Sequence, residues 1–337
     1  MALFSKDLGV DLGTVNVLIW ENGQIVLQEP SMVALRAEDD YIVEFGQPAR
    51  EMLGRVDDED IQVVRPLQNG VIADYEVTEA MLRYFFSKIA GRIRFFKPRV
   101  MISVPYGVTS VEKRAVYEAA LAAGAREAFL IWEPLAAAIG AGLPVSTPAG
   151  DMVINIGGGI TEAAVLSMNN IVRAESGRVG GMRLDDAIIM YMRRKYNVNI
   201  GQPMAEAIKI QVGAAFDQPQ ELSMEARGRD SVSGLPRIVS ISTGEVVEAL
   251  AEPLSAISQV AKNVLSTTPP ELASDIIDRG ITLTGGGALL RGIDQFLTKE
   301  TGVPVYRADN PMIVVATGAG RTLEDPAIMR RVLQSNY

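Results

Sequence analysis

Cysteine and histidine are both absent from the 337 residues. Without thiols there is no disulfide framework and no thiolate nucleophile; a reducing cytoplasm fits such a chain but is not required by it. Without imidazole there is no Ser-His-Asp or Cys-His catalysis and no His-ligated metal. Chemistry falls to carboxylates, Lys, Ser/Thr and backbone groups. Positive charge is also in short supply: 32 Lys and Arg against 41 Asp and Glu leave a net charge of −9, which argues against a general nucleic-acid binder. No window approaches ~18 uncharged apolar residues, so no transmembrane helix is expected. The opening "MALFSKDLGVDLG" has no long apolar region and no cleavage-like site, so no signal peptide is expected either. Membrane contact of another kind stays open. No GxxxxGK[ST] occurs, which excludes a Walker-type site, and no GxGxxG opens a helix after a strand, which disfavours a dinucleotide fold.

What is present is a chain with 48% hydrophobic residues, enough to bury large cores, whose length suggests about two domains. One hairpin is written twice. "GVDLGTVNVLIWENGQIVLQEPS" (Gly9 to Ser31) and "VINIGGGITEAAVLSMNNIVRAES" (Val153 to Ser176) each give a short apolar strand, a polar residue, a Gly turn, an alternating strand, an Asn-containing turn and a third strand. Gly13 then pairs with Gly157, Asp11 with Asn155, and Ile25-Val26 with Ile171-Val172 after a two-residue insertion. Any two glycine hairpins look somewhat alike, but the segments downstream of each copy weaken coincidence. Helical patterns at Val77–Ala90 and Val111–Ala123, separated by the strand-like "RVMISVPYG", come after the first. Helical patterns at Arg183–Tyr196, Met204–Val212 and Gly244–Leu265, the strand "GITLTGG" and a helix over Gly292–Thr301 come after the second. Alternating strands and helices predict an α/β fold of two related halves with a cleft between them. The expected lobes are 1–141 and 142–320, with the tail 321–337 returning to the first. The small-residue segment "EPLAAAIGAG" and the stretch near Val315–Gly320 are the expected crossovers.

Three Gly-rich turns succeed apolar strands: "DLGTVN" at Asp11–Asn16, "NIGGGIT" at Asn155–Thr161 and "LTGGGALLRG" at Leu283–Gly292. Glycine lets backbone approach a phosphate or adenosine closely, and successive N–H groups can cradle an anion. The third turn is expected to lead into a helix whose N-terminus favours negative charge. Each turn alone reads more readily as an ordinary tight turn; together, in a duplicated frame, they point to a nucleotide cleft. Asp11 either holds Mg²⁺ through water beneath the phosphates or caps its own turn with local hydrogen bonds.

Over nearly its whole length the chain resembles the actin-superfamily ATPases, most specifically the MreB family of bacterial actins. The resemblance is carried by "GVDLGTVNVLIW", "RPLQNGVIADYEVTEAML", "FFKPRVMISVPYGVTSVEKRAV", "EPLAAAIGAGLPV", "RVGGMRLDDAIIMYMRRKYNVNIG", "AEAIKIQVGAA", "RGRDSVSGLPR", "TPPELASDIIDRGITLTGGGALLRG" and "ATGAG". It implies a bilobed fold of two ribonuclease-H-like halves, ATP or ADP with Mg²⁺ between them, and filaments, single or paired, on the inner face of the cytoplasmic membrane. Membrane proteins of cell shape and wall synthesis are the implied partners. By the same resemblance Gly13, Thr14, Val15 and Asn16 meet the β- and γ-phosphates, and Gly157, Gly158 and Gly159 form the second phosphate hairpin. Glu206, Ala207, Ile208 and Lys209 border the sugar and base, and Gly285, Gly286, Gly287 and Ala288 close over the adenosine. Glu133, before Pro134, falls where the family orients or activates the attacking water; a helix-capping Glu is the plainer alternative.

The chain departs from that family in its catalytic half. The second hairpin normally reads Asp, an apolar residue, three glycines and Thr-Thr-Glu; here it reads Asn155, Ile156, three glycines, Ile160, Thr161 and Glu162. The internal repeat independently predicts an acid at Asn155. Met182 and Trp132 also replace acidic residues usual in the family. Asn keeps the side-chain shape and one carbonyl acceptor but loses the charge that opposes Mg²⁺ and helps organise the water. A loss of ~2–4 kcal/mol would slow turnover roughly 30- to 1000-fold. Binding through backbone N–H groups should suffer less. The expectation is a nucleotide binder with slow hydrolysis, set against a chain in which Asp11 and Glu162 compensate and turnover is ordinary.

"GRIRFFKPR" (Gly91 to Arg99) places Phe95 and Phe96 among four cations on an acidic chain, and the family inserts this loop into membrane. Burying a Phe contributes ~1.5–3 kcal/mol and each nearby cation ~1 kcal/mol, so a filament presenting many loops would gain avidity. Leu3-Phe4 would add to the same face; the alternative is that one Phe belongs to the core. A sugar kinase would need a substrate pocket with its own base, and a chaperone-type ATPase a peptide-binding domain; neither is found in the sequence.

Overall fold

The duplicated hairpin is built twice in one register. In the computed structural model, which describes residues 6–90 and 97–335, strand Asp7–Leu12 pairs antiparallel with Asn16–Glu21 through Leu12 opposite Val17 and Asp11 opposite Leu18. Strand Asp151–Ile156 pairs with Thr161–Ser167 through Ile156 opposite Thr161 and Asn155 opposite Glu162. The third strands match as well. Pairing skips Val26 between Ile19/Leu27 and Trp20/Ile25, and skips Val172 between Val165/Arg173 and Leu166/Ile171. Both second turns put two central residues at positive φ, Asn22 and Gly23 in one, Met168 and Asn169 in the other, which suits the right-handed twist of a two-residue hairpin.

Each hairpin extends into a five-stranded sheet of the same order. The first runs Gln24–Pro30, Asn16–Glu21, Asp7–Leu12, Arg99–Val104, Glu127–Trp132, the last two parallel to Asp7–Leu12. The second runs Asn170–Gly177, Thr161–Ser167, Asp151–Ile156, Ile281–Thr284, Val305–Arg307, again with two parallel additions. Parallel strands covered by helices must be apolar on both faces. Accordingly every residue of Asp151–Ile156 and Thr161–Ser167 is buried, including Asn155, Thr161 and Glu162. This is the expected α/β, two-lobed architecture.

Each lobe also carries a small antiparallel sheet that strand–helix alternation does not reveal: Val33–Arg36, Ile42–Phe45 and Ile61–Val64 in one, Val198–Asn199, Ser223–Asp230 and Pro236–Ser242 in the other. Their strands are short or polar on the outer face, so their periodicity is weak.

The two crossover segments form helices Glu133–Gly140 and Val314–Glu324, and only small residues permit their approach. A Cβ on Gly318 would lie 1.8 Å from the carbonyl oxygen of Ala136, and one on Gly140 would lie 1.9 Å from that of Val314. Gly320 lies against the Trp20 ring and Gly9 against Gly320, which seats the second helix on the first sheet. The C-terminal helix Pro326–Ser335 brings Ile328, Met329 and Val332 into a core shared by Met101 and Ile131 of the first sheet and Val153 and Leu166 of the second. The tail thus joins the junction between the sheets rather than one lobe alone.

Candidate functional site

The Gly turns after the two first strands approach each other across a cleft of about 340 Å³, within the range of small-molecule sites. A Cβ on Gly158 would fall 2.2 Å from Val15 Cγ2, and one on Gly159 would fall 2.7 Å from Thr14 Oγ1. Glycine is required here by space rather than by φ. Thr14 Oγ1 accepts from the Gly70 N–H at 2.8 Å, and Ser31 Oγ donates to the Gly13 carbonyl at 2.6 Å, which fixes the first turn. The second turn is fixed by helix Gly181–Tyr196, whose leading N–H groups from Gly181 and Met182 donate to the carbonyls of Gly157 and Gly158 at 2.9 and 2.8 Å.

The cleft is lined by Asp11, Gly13, Thr14, Val15, Asn16, Glu133, Asn155, Gly157, Gly158, Gly159, Glu206, Lys209, Gly285, Gly286 and Gly287, all expected from the sequence. Four expected residues do not line it. Ile208 and Ala288 are buried in the second-lobe core, because a helix turns successive side chains to different faces, and Ala207 lies half-buried outside the lining. Glu162 lies beneath the cleft, fully buried. The triple glycine of the third turn first forms a 3₁₀ turn, Gly286–Leu289, and the expected helix follows the whole turn at Ile293–Thr301, with Gly292 as its N-cap. Phe95, Phe96, Leu3 and Phe4 lie outside the described residues. Of the cations around that loop, Arg99 is already ion-paired with Asp7, Nε to Oδ1 at 2.8 Å, so its charge is not free as the sequence suggests.

Sequence reasoning missed Arg50, Arg65, Asp185 and Arg291 in the lining. Arg50 of the first lobe forms an ion pair with Glu206 of the second, closing the cleft at one rim. Lys209 pairs with Asp185 at 2.7 Å and donates to the Gly181 carbonyl at 3.0 Å. Burial nevertheless pushes the Asp185 carboxyl up to about 6. Arg65 leaves its Nη1 buried without a hydrogen-bond partner, and burial lowers its pKa against the pull of Glu206. These contacts join residues far apart in sequence, so no local spacing marks them.

Beneath the turns, three carboxyls converge. Burial pushes Asp11 up to about 7, against a long 3.4 Å hydrogen bond from Ser103 Oγ. Burial pushes Glu162 up to about 8, although its Oε1 accepts from the Tyr106 N–H at 2.6 Å. Glu133 rises well above the carboxylate range through burial, then through Glu162 and Asp11. Glu133 opens its helix without capping it: the N-cap is Trp132, and the Glu133 carboxylate instead accepts from Asn155 Nδ2 at 2.6 Å. Asn155 Oδ1 in turn accepts from Thr284 Oγ1 at 3.0 Å.

No group of three or more acidic side chains placed to hold a metal directly occurs among the described residues. Three raised carboxyls and the orphaned, buried Oε2 of Glu162 are nonetheless the electrostatics of a site short of positive charge. A dication held by phosphates and water, with Asp11 behind the water, fits this donor set. The glycine cradle fits a phosphate chain: side chains at Gly158, Gly159 or Gly287 would collide with the walls.

Residues 5–331 match the family described as MreB/Mbl protein. The chain is 49% identical over 324 residues to the cell shape-determining protein Mbl of Bacillus cereus, covering 96% of this chain and 97% of that one. It is 49% identical over 329 residues to the cell shape-determining protein MreB of Escherichia coli, covering 96% and 94%. Among solved structures it is similar to MreB5 of Spiroplasma citri bound to AMPPNP, with a TM-score of 0.91, 35% identity and 99% of each chain covered. The MamK double helical filament shares the fold alone, at a TM-score of 0.81, 21% identity and coverage of 96% and 99%.

Proposed function

This chain belongs to the MreB/Mbl family, and from that premise we propose that it is an actin-like ATP-binding protein that polymerises and hydrolyses ATP slowly. Its filaments lie on the inner face of the cytoplasmic membrane and help set cell shape by guiding wall synthesis. The observation that carries the nucleotide reading is the meeting of two equivalent glycine turns, Val15 against Gly158, across the cleft. The AMPPNP bound by a relative of the same architecture supports it.

In this reading the turns Gly13–Asn16 and Gly157–Gly159 cradle the phosphates, the Gly157 N–H being given to the Ile160 carbonyl within its own turn, while Glu206 and Lys209 border the sugar and base. Mg²⁺, when bound, would neutralise phosphate charge above Asp11. Glu133 takes the proton of a water whose oxygen attacks the terminal phosphorus as the bond to the bridging oxygen breaks. In the ligand-free cleft burial raises the Glu133 carboxyl well above the usual carboxylate range, so entry of positive charge makes this base more available.

Asn155 favours the slow variant of this activity. Its amide is committed on both sides, to Glu133 and to Thr284, and supplies no negative charge. The test is phosphate release beside sedimentation in the same samples, with ATP and Mg²⁺. Slow release with nucleotide-dependent pelleting supports the proposal; failure to bind a fluorescent ATP analogue overturns it.

A further inference from the structure

The two first strands carry a polar residue one place before their end, Asp11 in one lobe and Asn155 in the other, and each faces a hydroxyl on the adjacent parallel strand. Asn155 is paired with Thr284, and the register through Val10 and Ile102 brings Ser103 beside Asp11. Ser103 Oγ lies 3.4 Å from Asp11 Oδ1, and Thr284 Oγ1 lies 3.0 Å from Asn155 Oδ1. The hydroxyls occupy equivalent places, but their consequences differ. A carboxylate has two like oxygens, so a donor beside one of them does not define which way it faces. An amide has an oxygen and an NH₂, so a donor beside it selects one of two orientations.

We propose that Thr284 is a positioning residue for Glu133: its hydroxyl holds the Asn155 oxygen, which turns the Asn155 NH₂ onto the Glu133 carboxylate. That NH₂ lies 2.6 Å from Glu133 Oε1. Thr284 is fully buried and Asn155 almost so, while Glu133 at the other end is only partly buried and lines the cleft. The backbone N–H of neighbouring Gly285 is already given to the Pro311 carbonyl at 2.9 Å. Gly285 also presses on the amide oxygen, where a Cβ would lie 2.7 Å from Oδ1, which crowds that side of the amide. Thr284 Oγ1 has a second acceptor within reach, the Ile154 carbonyl at 3.3 Å. Without the hydroxyl the amide oxygen is left unpaired, and a flip that turned Oδ1 toward Glu133 would set acceptor against acceptor whenever Glu133 is ionised.

The role in turnover rests on the proposed hydrolysis, whereas the orientation does not, and two measurements separate them. The first is the Asn155 side-chain NH₂ resonance of the nucleotide-free protein, identified by its loss in Asn155→Asp. It should show slow solvent exchange in the parent, shift and exchange at least tenfold faster in Thr284→Val, and return in Thr284→Ser. The second is the kinetics of phosphate release. Thr284→Val should lower kcat at least fivefold with KM for ATP within twofold of the parent, and Thr284→Ser should recover kcat to within twofold. An unchanged NH₂ resonance in Thr284→Val overturns the proposal. So does a shifted resonance with kcat unchanged, or a kcat loss that Thr284→Ser does not relieve. If the parent releases no phosphate, the hydrolysis reading falls and the resonance alone decides the orientation.

Discussion

In the first hairpin the next-to-last strand residue is Asp11 and the residue opposite is Leu18; in the second these places hold Asn155 and Glu162. At this cross-strand pair each hairpin thus carries one carboxylate, on the first strand in one and the second strand in the other. Asp11 lines the cleft, whereas Glu162 lies under it with one oxygen tied to Tyr106 and the other unpartnered. Backbone register is shared down to the bulges at Val26 and Val172, so the difference lies in the side chains alone. One lobe keeps a charge where a phosphate-bound cation would sit; the other offers an amide that holds Glu133. A duplicated frame therefore preserves the geometry of the two glycine turns while the polar residues beside them diverge.

The largest effect should come from breaking the approach of the two turns. Gly158→Ala places a methyl 2.2 Å from Val15 Cγ2 and 2.7 Å from its Cβ, and a β-branched side chain cannot swing away. The lobes must separate, at a cost of about 3 kcal/mol, so ATP affinity should fall about 100-fold. Gly157→Ala meets only the Ile160 carbonyl at 3.2 Å and should cost less than tenfold. Equal losses in titrations with a fluorescent ATP analogue would break the contrast between the turn's tip and its base.

Next is Asn155→Asp, which makes the two lobes alike. With Mg²⁺ and ATP the restored charge should raise phosphate release about 30-fold, the lower end of ~2–4 kcal/mol of barrier. Without a divalent cation the same change removes the donor to Glu133 and sets a fourth carboxyl among Asp11, Glu133 and Glu162. The variant's Tm should therefore drop below the parent's in chelator and recover with Mg²⁺. Equal phosphate-release rates would mean that Asp11, Glu133 and Glu162 suffice for the chemistry.

The fold was legible in the sequence because the repeat and the strand–helix alternation are local signals, and Asp11, Glu133 and the glycine turns stand within them. The partners were not. Thr284 lies 129 residues from Asn155 and Arg50 lies 156 from Glu206, and neither spacing has a periodic signature. Extending a motif to its neighbours also overreached at Ile208 and Ala288, since one helical step turns a side chain from cleft to core. Tyr106, which fixes Glu162 through its backbone N–H, was invisible for a simpler reason: any residue other than proline supplies that donor.

A smaller effect distinguishes the carboxylates by pH. Asp11 at about 7 and Glu162 at about 8 bind protons more tightly in the folded than in the unfolded chain, where ordinary carboxyls release them near 4. Their contribution to stability is fully present below about 4 and is lost as pH rises through 7 and 8. The nucleotide-free protein should melt about 5 °C or more lower at pH 8.5 than at pH 6. Glu162→Gln should flatten the upper part of that slope and Asp11→Asn the lower. A profile indifferent to both would place the titration elsewhere.

The smallest effect is expected at the rim, where the lobes touch through Arg50 and Glu206. Both side chains are partly exposed, and such pairs contribute about 0–1 kcal/mol. Arg50→Ala should speed nucleotide release no more than about fivefold, and 0.5 M salt should erase much of that change. Arg65 stands behind it. Its buried Nη1 has no partner, and Glu206 is the strongest charge acting to raise its pKa, so loss of Arg50 leaves a second cation beside the same carboxylate. Arg65→Ala alone should again act weakly, because Arg50 remains. The double variant should exceed the sum of the two, since Glu206 then faces the cleft without a first-lobe cation. Strict additivity would mean that the two arginines serve different partners and that the rim does not couple the lobes.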